Sequence, residues 1–236
     1  MTDAPAPLTR NSLRLAKPAL DVGLFTRQRE AMLAFWQGPV GLPFSELLPL
    51  GGGLRQHRHA IGASVLKLND SRDPLPPAAP AGLRQLWLAR PALPGTTHLQ
   101  DPDGNAVTLV PPGTDGITQL RVDIVVNDLA AHQHFYGEVL GLTALDAVTF
   151  ACGASQIRLL AGAATRDPIQ QATGYRYLTV QVFDVVATHA GILARGGREG
   201  RAPIRLGEVA YISFVRDPDG NWIEISQRKS LTGSLD

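Results

Sequence analysis

The chain has 236 residues, of which 44% are hydrophobic and 18% are charged, and these proportions exclude a disordered or fibrous protein. Its 22 Lys and Arg residues balance 21 Asp and Glu residues, so no excess of positive charge predicts a nucleic-acid partner or an anionic membrane. Cys152 is the only cysteine, which excludes an intrachain disulfide framework and favours a reducing, cytoplasmic location.

The start of the sequence does not resemble a targeting segment. Its first 20 residues contain Asp3 and three prolines and no long apolar run, so we predict neither a secretory signal nor a membrane segment. The length fits either one large domain or two small ones, and the order of the predicted elements has to decide between them.

The first predicted unit, at about 18–70, begins with a strand and a helix. The apolar strand LDVGLFT (20–26) precedes the short amphipathic helix REAMLAFW (29–36). A proline-rich stretch at 71–82 follows the unit and is typical of a connection.

The second predicted unit, at about 82–111, is shorter than the others. Trp87 lies 14 residues before Asp101, whereas the corresponding Val180 lies 37 residues before Asp217. The deficit of 23 residues removes the helix from this unit.

The second half of the sequence predicts two more units, at about 117–162 and 174–228. In the third unit, the strand LRVDIVV (120–126) precedes a helix for which Asp128 is the predicted N-cap. In the fourth unit, the strand YRYLTVQVF precedes a helix with Asp184 as its N-cap.

An internal repeat relates the two halves. The segment DPDGN occurs at 101–105 and again at 217–221, an offset of 116 residues, and alternating apolar residues follow each copy. Pro, Asp and Gly in this order are typical of a tight turn, so each copy is predicted to join two antiparallel strands.

The motifs NDLAAHQHFYGEVLGL (127–142) and RDPDGNWIEIS (216–226) resemble those of the vicinal oxygen chelate superfamily, which includes glyoxalases, bleomycin-resistance proteins and extradiol dioxygenases. The resemblance covers about 18–228. It implies an α+β fold of tandem βαβββ modules that form two cup-shaped half-barrel sheets, with the second module lacking its helix. The units could pair one with two or one with four.

The resemblance and the repeat together predict a division into two glyoxalase/dioxygenase-like domains. The predicted segments are an N-terminal extension at 1–17, a first domain at 18–112 with a truncated second module, a second domain at 117–228, and a flexible tail at 229–236.

Family members that use a metal take its ligands from the first and last strands of each module. Counting along the motifs gives the residues at these positions, which are Asp21, Lys67, Gln85 and Thr108 in the first half and Arg121, Arg158, Tyr177 and Glu224 in the second. Only Glu224 keeps the identity of a metal ligand, and an arginine cannot lose its proton to bind a cation. We therefore expect no metal and no cofactor.

A guanidinium at a metal position can replace the charge of the ion. We therefore predict that Arg121 is catalytic and stabilises an oxyanion, that Arg158 binds substrate, and that Glu224 or Tyr177 moves a proton. Two alternatives remain open: the charged groups could form a self-satisfied ion-pair network, and Tyr177 could be a core residue.

The remaining candidates for substrate binding are Asp21, Lys67 and His59. Asp21 and Lys67 could form a second catalytic pair or an ordinary salt bridge between strands. His57 and His59 lie two apart on a predicted strand and share a face, which is a common arrangement of metal ligands, but the flanking arginines favour an exposed polar strand. Cys152 is predicted to be a buried packing residue.

Two functions follow from the resemblance. The first is an enzyme, of lyase, isomerase or ring-cleaving type, that acts on a small oxygen-rich, anionic or enolisable organic substrate without the usual metal. The second is a non-catalytic protein that sequesters a small molecule, as drug-binding members of the family do. In both cases the partner is a small molecule, and the protein is predicted to be a monomer or a homodimer.

Overall fold

The computed structural model describes residues 13–235, which form two curled β-sheets and few helices. The first twelve residues of the predicted N-terminal extension lie outside the described residues. In chain order, the first half contains β1 (Leu15–Thr26), α1 (Arg29–Gln37), β2 (Phe44–Gly51), β3 (Leu54–Ile61), β4 (Ser64–Ser71), β5 (Leu83–Ala89), β6 (Thr97–Gln100) and β7 (Ala106–Val110).

The second half repeats this pattern, with a helix in each of its two modules and a short helix at its end. Its elements are a 3-10 turn (Thr114–Gly116), β8 (Leu120–Val126), α2 (Leu129–His134) with a π-helical turn (Phe135–Val139), β9 (Thr143–Ala144), β10 (Thr149–Cys152), β11 (Ser155–Ala161), β12 (Gly174–Val182), α3 (Val185–Ala194), β13 (Arg198–Leu206), β14 (Ala210–Arg216), β15 (Trp222–Arg228) and α4 (Lys229–Thr232). Asp128 and Asp184 cap α2 and α3 as predicted, each accepting a hydrogen bond from a first-turn backbone N–H.

The strand order shows which modules combine. The eight-stranded large sheet has the order β13-β14-β15-β12-β1-β4-β3-β2, and the seven-stranded small sheet has the order β6-β7-β5-β8-β11-β10-β9. The first module therefore joins the fourth, and the second joins the third. Each sheet contains strands from both sides of the boundary at 112–117 that the repeat predicts. The division of the chain into two domains at this boundary therefore stays a prediction. The predicted fold class, including a second module without a helix, is confirmed.

The two outer segments differ from their predicted description. β1 begins at Leu15, inside the predicted N-terminal extension. The tail predicted to be flexible contains α4, and Leu235 beyond it is buried. None of the helices in the part of the chain that the structure describes has the length and hydrophobicity needed to cross a membrane.

Side-chain alternation along the central strands separates the core from the concave face. Leu178 and Val180 of β12 pack in the main hydrophobic core. Tyr177 and Thr179, which alternate with them along the strand, point to the other face of the sheet. In β1 the same alternation places Asp21 on the face opposite the apolar core. The concave face of the large sheet therefore carries the polar residues.

Both DPDGN segments form the predicted turns between antiparallel strands. The first joins β6 to β7, and the second joins β14 to β15. Gly104 and Gly220 have φ values of 85° and 88°, in the region that glycine adopts without steric cost.

The second DPDGN turn is anchored to the helix of the third module. Asp217 accepts hydrogen bonds from the backbone and side chain of Asn221, both at 2.8 Å, and from the hydroxyl of the buried Tyr136 at 3.2 Å. Asp101, its counterpart in the first turn, accepts hydrogen bonds from within its own turn, and burial raises its pKa to about 6.

We expect Asp217→Ala to destabilise the protein more than Asp101→Ala at pH 8. Loss of Asp217 leaves the buried Tyr136 hydroxyl without its acceptor, which costs about 1–3 kcal/mol beyond the turn contacts. At pH 8 the Asp101 carboxylate is charged, and its burial penalty reduces what its removal loses. Urea unfolding of both variants measures the difference, and equal losses would contradict the anchoring role of Asp217.

Candidate functional site

The concave face of the large sheet encloses a cavity of ≈ 260 Å³. Its wall combines residues of the first and fourth modules, so the cavity depends on the pairing of β1 with β12. Aromatic rings of Phe25, Tyr177 and Phe214 form part of the wall. Leu50 and Leu206, from strands at opposite edges of the sheet, line it as well and are 46% and 45% exposed.

Strand register brings several of the predicted site residues to the centre of this face. Asp21 of β1 lies opposite Thr179 of β12, and Gly23 of β1 lies beside Lys67 of β4. Thr179 in turn lies beside Glu224 of β15. The last strands of the two modules therefore place Lys67 and Glu224 on either side of the central strand pair.

Lys67 and Glu224 form a buried ion pair. Lys67 Nζ donates to Glu224 Oε2 and to Thr179 Oγ1, both at 2.8 Å, and the Thr179 hydroxyl donates to the same carboxylate oxygen at 2.8 Å. Lys67 is 2% exposed and Glu224 is 8% exposed. A buried pair of charges needs such additional hydrogen bonds to offset the loss of hydration.

The second oxygen of Glu224 takes no part in this network. Both hydrogen bonds that the described residues make to this carboxylate go to Oε2, and Glu224 lines the cavity. Burial lowers the pKa of Lys67, an effect that the charges of Glu224 and Asp21 oppose. The Oε1 atom can therefore accept a proton or a hydrogen bond from a molecule in the cavity.

Tyr177 covers the backbone of the neighbouring strand. A Cβ atom at Gly23 would lie 2.0 Å from its ring, so only glycine leaves room for the tyrosine in this position. The Tyr177 hydroxyl accepts hydrogen bonds from Asn69 Nδ2 at 3.2 Å and from Gln56 Nε2 at 3.4 Å. Burial raises the pKa of Tyr177 well above its ordinary value, so the phenol keeps its proton and can donate a hydrogen bond to a ligand.

Asp21 is satisfied by its own partners rather than by Lys67. Its carboxylate pairs with Lys17 and accepts a hydrogen bond from the Val65 backbone at 2.9 Å and from Gln181 Nε2 at 3.3 Å. The predicted pairing of Asp21 with Lys67 is therefore wrong. The register explains this, because Lys67 lies beside Gly23 and its ammonium reaches across to Glu224.

The side chains in this cavity do not suit a divalent metal ion. The positions where the resemblance implies metal ligands hold Asp21, Lys67, Tyr177 and Glu224. A lysine ammonium at the centre of the set repels a cation, and its hydrogen bonds occupy one oxygen of Glu224. Within residues 13–235, no group of three His, Cys, Asp or Glu side chains has an arrangement that could hold a metal.

Arg121 and Arg158 lie in the small sheet, away from Glu224. Arg121 Nε donates to Asp123 Oδ1 at 3.0 Å, and its guanidinium carbon lies 4.4 Å from the centroid of the Trp87 ring. The Trp87 indole also donates to Asp123, at 2.8 Å, and Arg158 lies beside Asp123 on the neighbouring strand. The self-satisfied network fits this geometry, and the structure does not bring these arginines together with Glu224 or Tyr177.

His59 lies on the opposite side of β3 from the cavity. Its Nε2 is 3.1 Å from Nε2 of Gln37, the last residue of α1, and its ring packs edge-on against Phe44 at 5.7 Å. Burial lowers its pKa to about 4. The expectation of an exposed polar strand is wrong because α1 and β2 cover this face. Cys152 is buried as predicted, and burial raises its pKa to about 12.

Sequence reasoning missed several polar residues of the cavity and of its hydrogen-bond network, among them Gln56, Asn69, Thr179 and Arg228. The period-two alternation of a strand could have found three of them. Asn69 follows Lys67 by two residues, and Arg228 follows Glu224 by four on the same face. Gln56 gave no such signal, because its strand contains no predicted site residue on the cavity face.

The chain was compared with known families and proteins. Residues 118–225 match the family model described as Glyoxalase/Bleomycin resistance protein/Dioxygenase superfamily. A probable lactoylglutathione lyase of Vibrio parahaemolyticus is 36% identical over 66 residues, which cover 27% of this chain and 47% of that protein. A lactoylglutathione lyase of Haemophilus influenzae is 35% identical over 71 residues, covering 29% of this chain and 52% of that protein. The chain thus spans about half the length of the curated relatives it matches.

Solved structures share the fold over nearly the whole chain. Glyoxalase I from Zea mays superposes with a TM-score of 0.73 at 16% identity, covering 94% of this chain and 96% of that chain. A putative dioxygenase from Bacillus subtilis superposes with a TM-score of 0.66 at 10% identity, covering 97% and 92%. At these identities the likeness shows the fold alone. The match to the glyoxalase/bleomycin resistance protein/dioxygenase superfamily covers residues 118–225, and the solved structures extend the likeness of fold to nearly the whole chain.

Proposed function

We propose that the cavity of the large sheet is the active site of a lyase or isomerase that acts on a small, oxygen-rich organic compound without a bound metal. The observation that carries this proposal is the buried contact between Lys67 and Glu224, at positions where the resemblance implies metal ligands. A fixed ammonium there supplies the positive charge that a metal supplies elsewhere, so the reaction needs no cofactor.

In this proposal Glu224 is the general base. Its Oε1 atom takes a proton from a carbon next to a carbonyl group, while the Lys67 ammonium and the Tyr177 hydroxyl stabilise the oxyanion that develops. Lys67 therefore has the oxyanion-stabilising role that the sequence predicts for Arg121, because Lys67 shares the cavity with the base. The relatives named lactoylglutathione lyase support the lyase class, and S-lactoylglutathione is therefore one probe of the site.

A second candidate function is sequestration of a planar molecule without chemical change. The three aromatic side chains of the wall, Phe25, Tyr177 and Phe214, favour it because rings bind planar ligands by stacking. The two functions differ in whether a bond to hydrogen is broken in the bound molecule.

We expect Glu224→Gln to lower proton transfer by about 10²–10⁴-fold while leaving ligand binding intact, because an amide cannot accept the proton. The measurement is exchange of carbon-bound hydrogen for deuterium, followed by NMR, in S-lactoylglutathione and in a panel of small enolisable carbonyl compounds. Glu138→Gln, which changes an exposed carboxylate, is the matched control and should keep the wild-type rate.

Unchanged exchange in Glu224→Gln would remove this residue from the mechanism. Compounds that bind to the wild-type protein but emerge with their hydrogens unexchanged after long incubation would support sequestration in place of catalysis.

We expect Lys67→Met to destabilise the fold by about 3–5 kcal/mol, because it leaves the Glu224 carboxylate buried without its counter-ion. The double variant Lys67→Met/Glu224→Gln should recover most of this loss, since the remaining group is neutral. Urea unfolding at pH 7.5 measures the free energy of unfolding of the wild type, both single variants and the double variant. The four values together give the interaction free energy between the two side chains. A double variant whose loss equals the sum of the single losses would show that the two side chains do not interact.

We expect the purified protein to hold well below one equivalent of iron, zinc, nickel or manganese, and its exchange activity to survive dialysis against EDTA. Elemental analysis and the NMR exchange measurement before and after dialysis test this. Activity that EDTA removes and an added divalent metal restores would overturn the metal-free mechanism.

A further inference from the structure

Arg228 ends β15 on the same face as Glu224. Residues two apart on a strand share a face, so Glu224, Ser226 and Arg228 form one row, and all three line the cavity. Arg228 is half-buried where it lines this cavity.

The guanidinium of Arg228 lacks a partner within the chain. Among residues 13–235, no side chain or carbonyl group makes a hydrogen bond or an ion pair with it, whereas Arg58 and Arg176 each have such a partner. Arg58 pairs with Glu46, and Arg176 donates to the carbonyls of Ala172 and Thr173. Burial, followed by the charge of Arg58, lowers the pKa of Arg228. The guanidinium of Arg228 is therefore partly desolvated, and only the more distant charges of Glu224, Glu46 and Asp21 offset this cost.

The charges around the cavity favour an anion with a single negative charge. Lys67 and Glu224 neutralise each other at 2.8 Å, so Arg228 leaves one positive charge on the inner wall. Arg201 also lines the cavity, and its guanidinium lies 5.4 Å from the Phe214 ring centroid. Because Arg201 is exposed, water screens its charge more than that of Arg228. A guanidinium presents a planar fork of donors that fits the two oxygens of a carboxylate.

We infer that Arg228 forms an anion subsite in this cavity and that the natural ligand is an organic monocarboxylate with an apolar or aromatic body. The inference rests on the proposed function for the location of the site, and it adds the class of substrate.

The position of Arg228 also constrains the shape of the ligand. Residues four apart on a strand have Cα atoms about 13 Å apart, so the carboxylate bound by Arg228 is separated from the atom that reaches Glu224. Between and beside them lie the rings of Phe25, Tyr177 and Phe214 and the exposed side chains of Leu50 and Leu206. The ligand therefore places its charged group at one end and its apolar body against these rings.

The test compares matched pairs of monocarboxylates and their primary carboxamides, including 3-phenylpropanoate with 3-phenylpropanamide, in equilibrium binding followed by NMR and calorimetry. We expect the wild type to bind a carboxylate of the set at least tenfold more tightly than its amide. Arg228→Met should lose this preference while binding the amide as before, and Arg228→Lys should keep part of it. Arg27→Met, at an exposed position that does not line the cavity, is the control and should keep the preference in full.

Two results would overturn the inference. One is a wild type that prefers no carboxylate of the set over its carboxamide, and the other is an Arg228→Met variant that retains the preference. Urea unfolding of each variant confirms that it is folded, and Arg228→Lys provides a second reading because it keeps the charge but not the fork.

The outcome is separable from that of the proposed function. Binding preference requires no turnover, so a preference that depends on Arg228 would stand even if Glu224→Gln left proton exchange unchanged. Conversely, exchange that depends on Glu224, with no carboxylate preference, would keep the catalytic proposal and reject the anion subsite.

Discussion

The antiparallel pairing of β1 with β12 is the contact on which the site depends. It joins the first module to the fourth across most of the chain and makes one continuous sheet of eight strands. Because β4 and β15 flank this central pair, their side chains converge from opposite sides, and Lys67 meets Glu224. Without this pairing neither residue has a partner, and the cavity loses one of its two walls.

The two sheets place their charged groups in opposite ways. In the small sheet, Arg121 and Asp123 are held together by Trp87, whose ring occupies part of the concave face. In the large sheet, Lys67 and Glu224 satisfy each other, but one carboxylate oxygen and the neighbouring Arg228 border an open cavity. Arg121 and Asp123 are thus satisfied by internal partners in the small sheet, whereas the charged groups of the large sheet remain able to bind a ligand.

The sequence predicts local features well, because their causes lie within a few residues. The DPDGN turns, the N-caps at Asp128 and Asp184, and the missing helix of the second module follow from turn chemistry, capping and length. The partners of the charged residues could not be predicted in this way. Whether Glu224 meets Arg121 or Lys67 depends on which modules pair, and that choice is made by contacts more than a hundred residues apart. His59 was misjudged because the packing of α1 against its strand, which brings Gln37 to it from 22 residues earlier, is a tertiary contact that the strand's own sequence does not show.

The presence of both cups in a single chain has a consequence for how the protein can change over evolutionary time. If two identical chains formed the same pair of cups, every substitution would appear in both cups. Here the two cups are encoded separately, so one can be filled by an indole ring and a fixed ion pair while the other keeps its space. Selection can then act on the ligand preference of the open cup and leave the filled cup to serve as its scaffold.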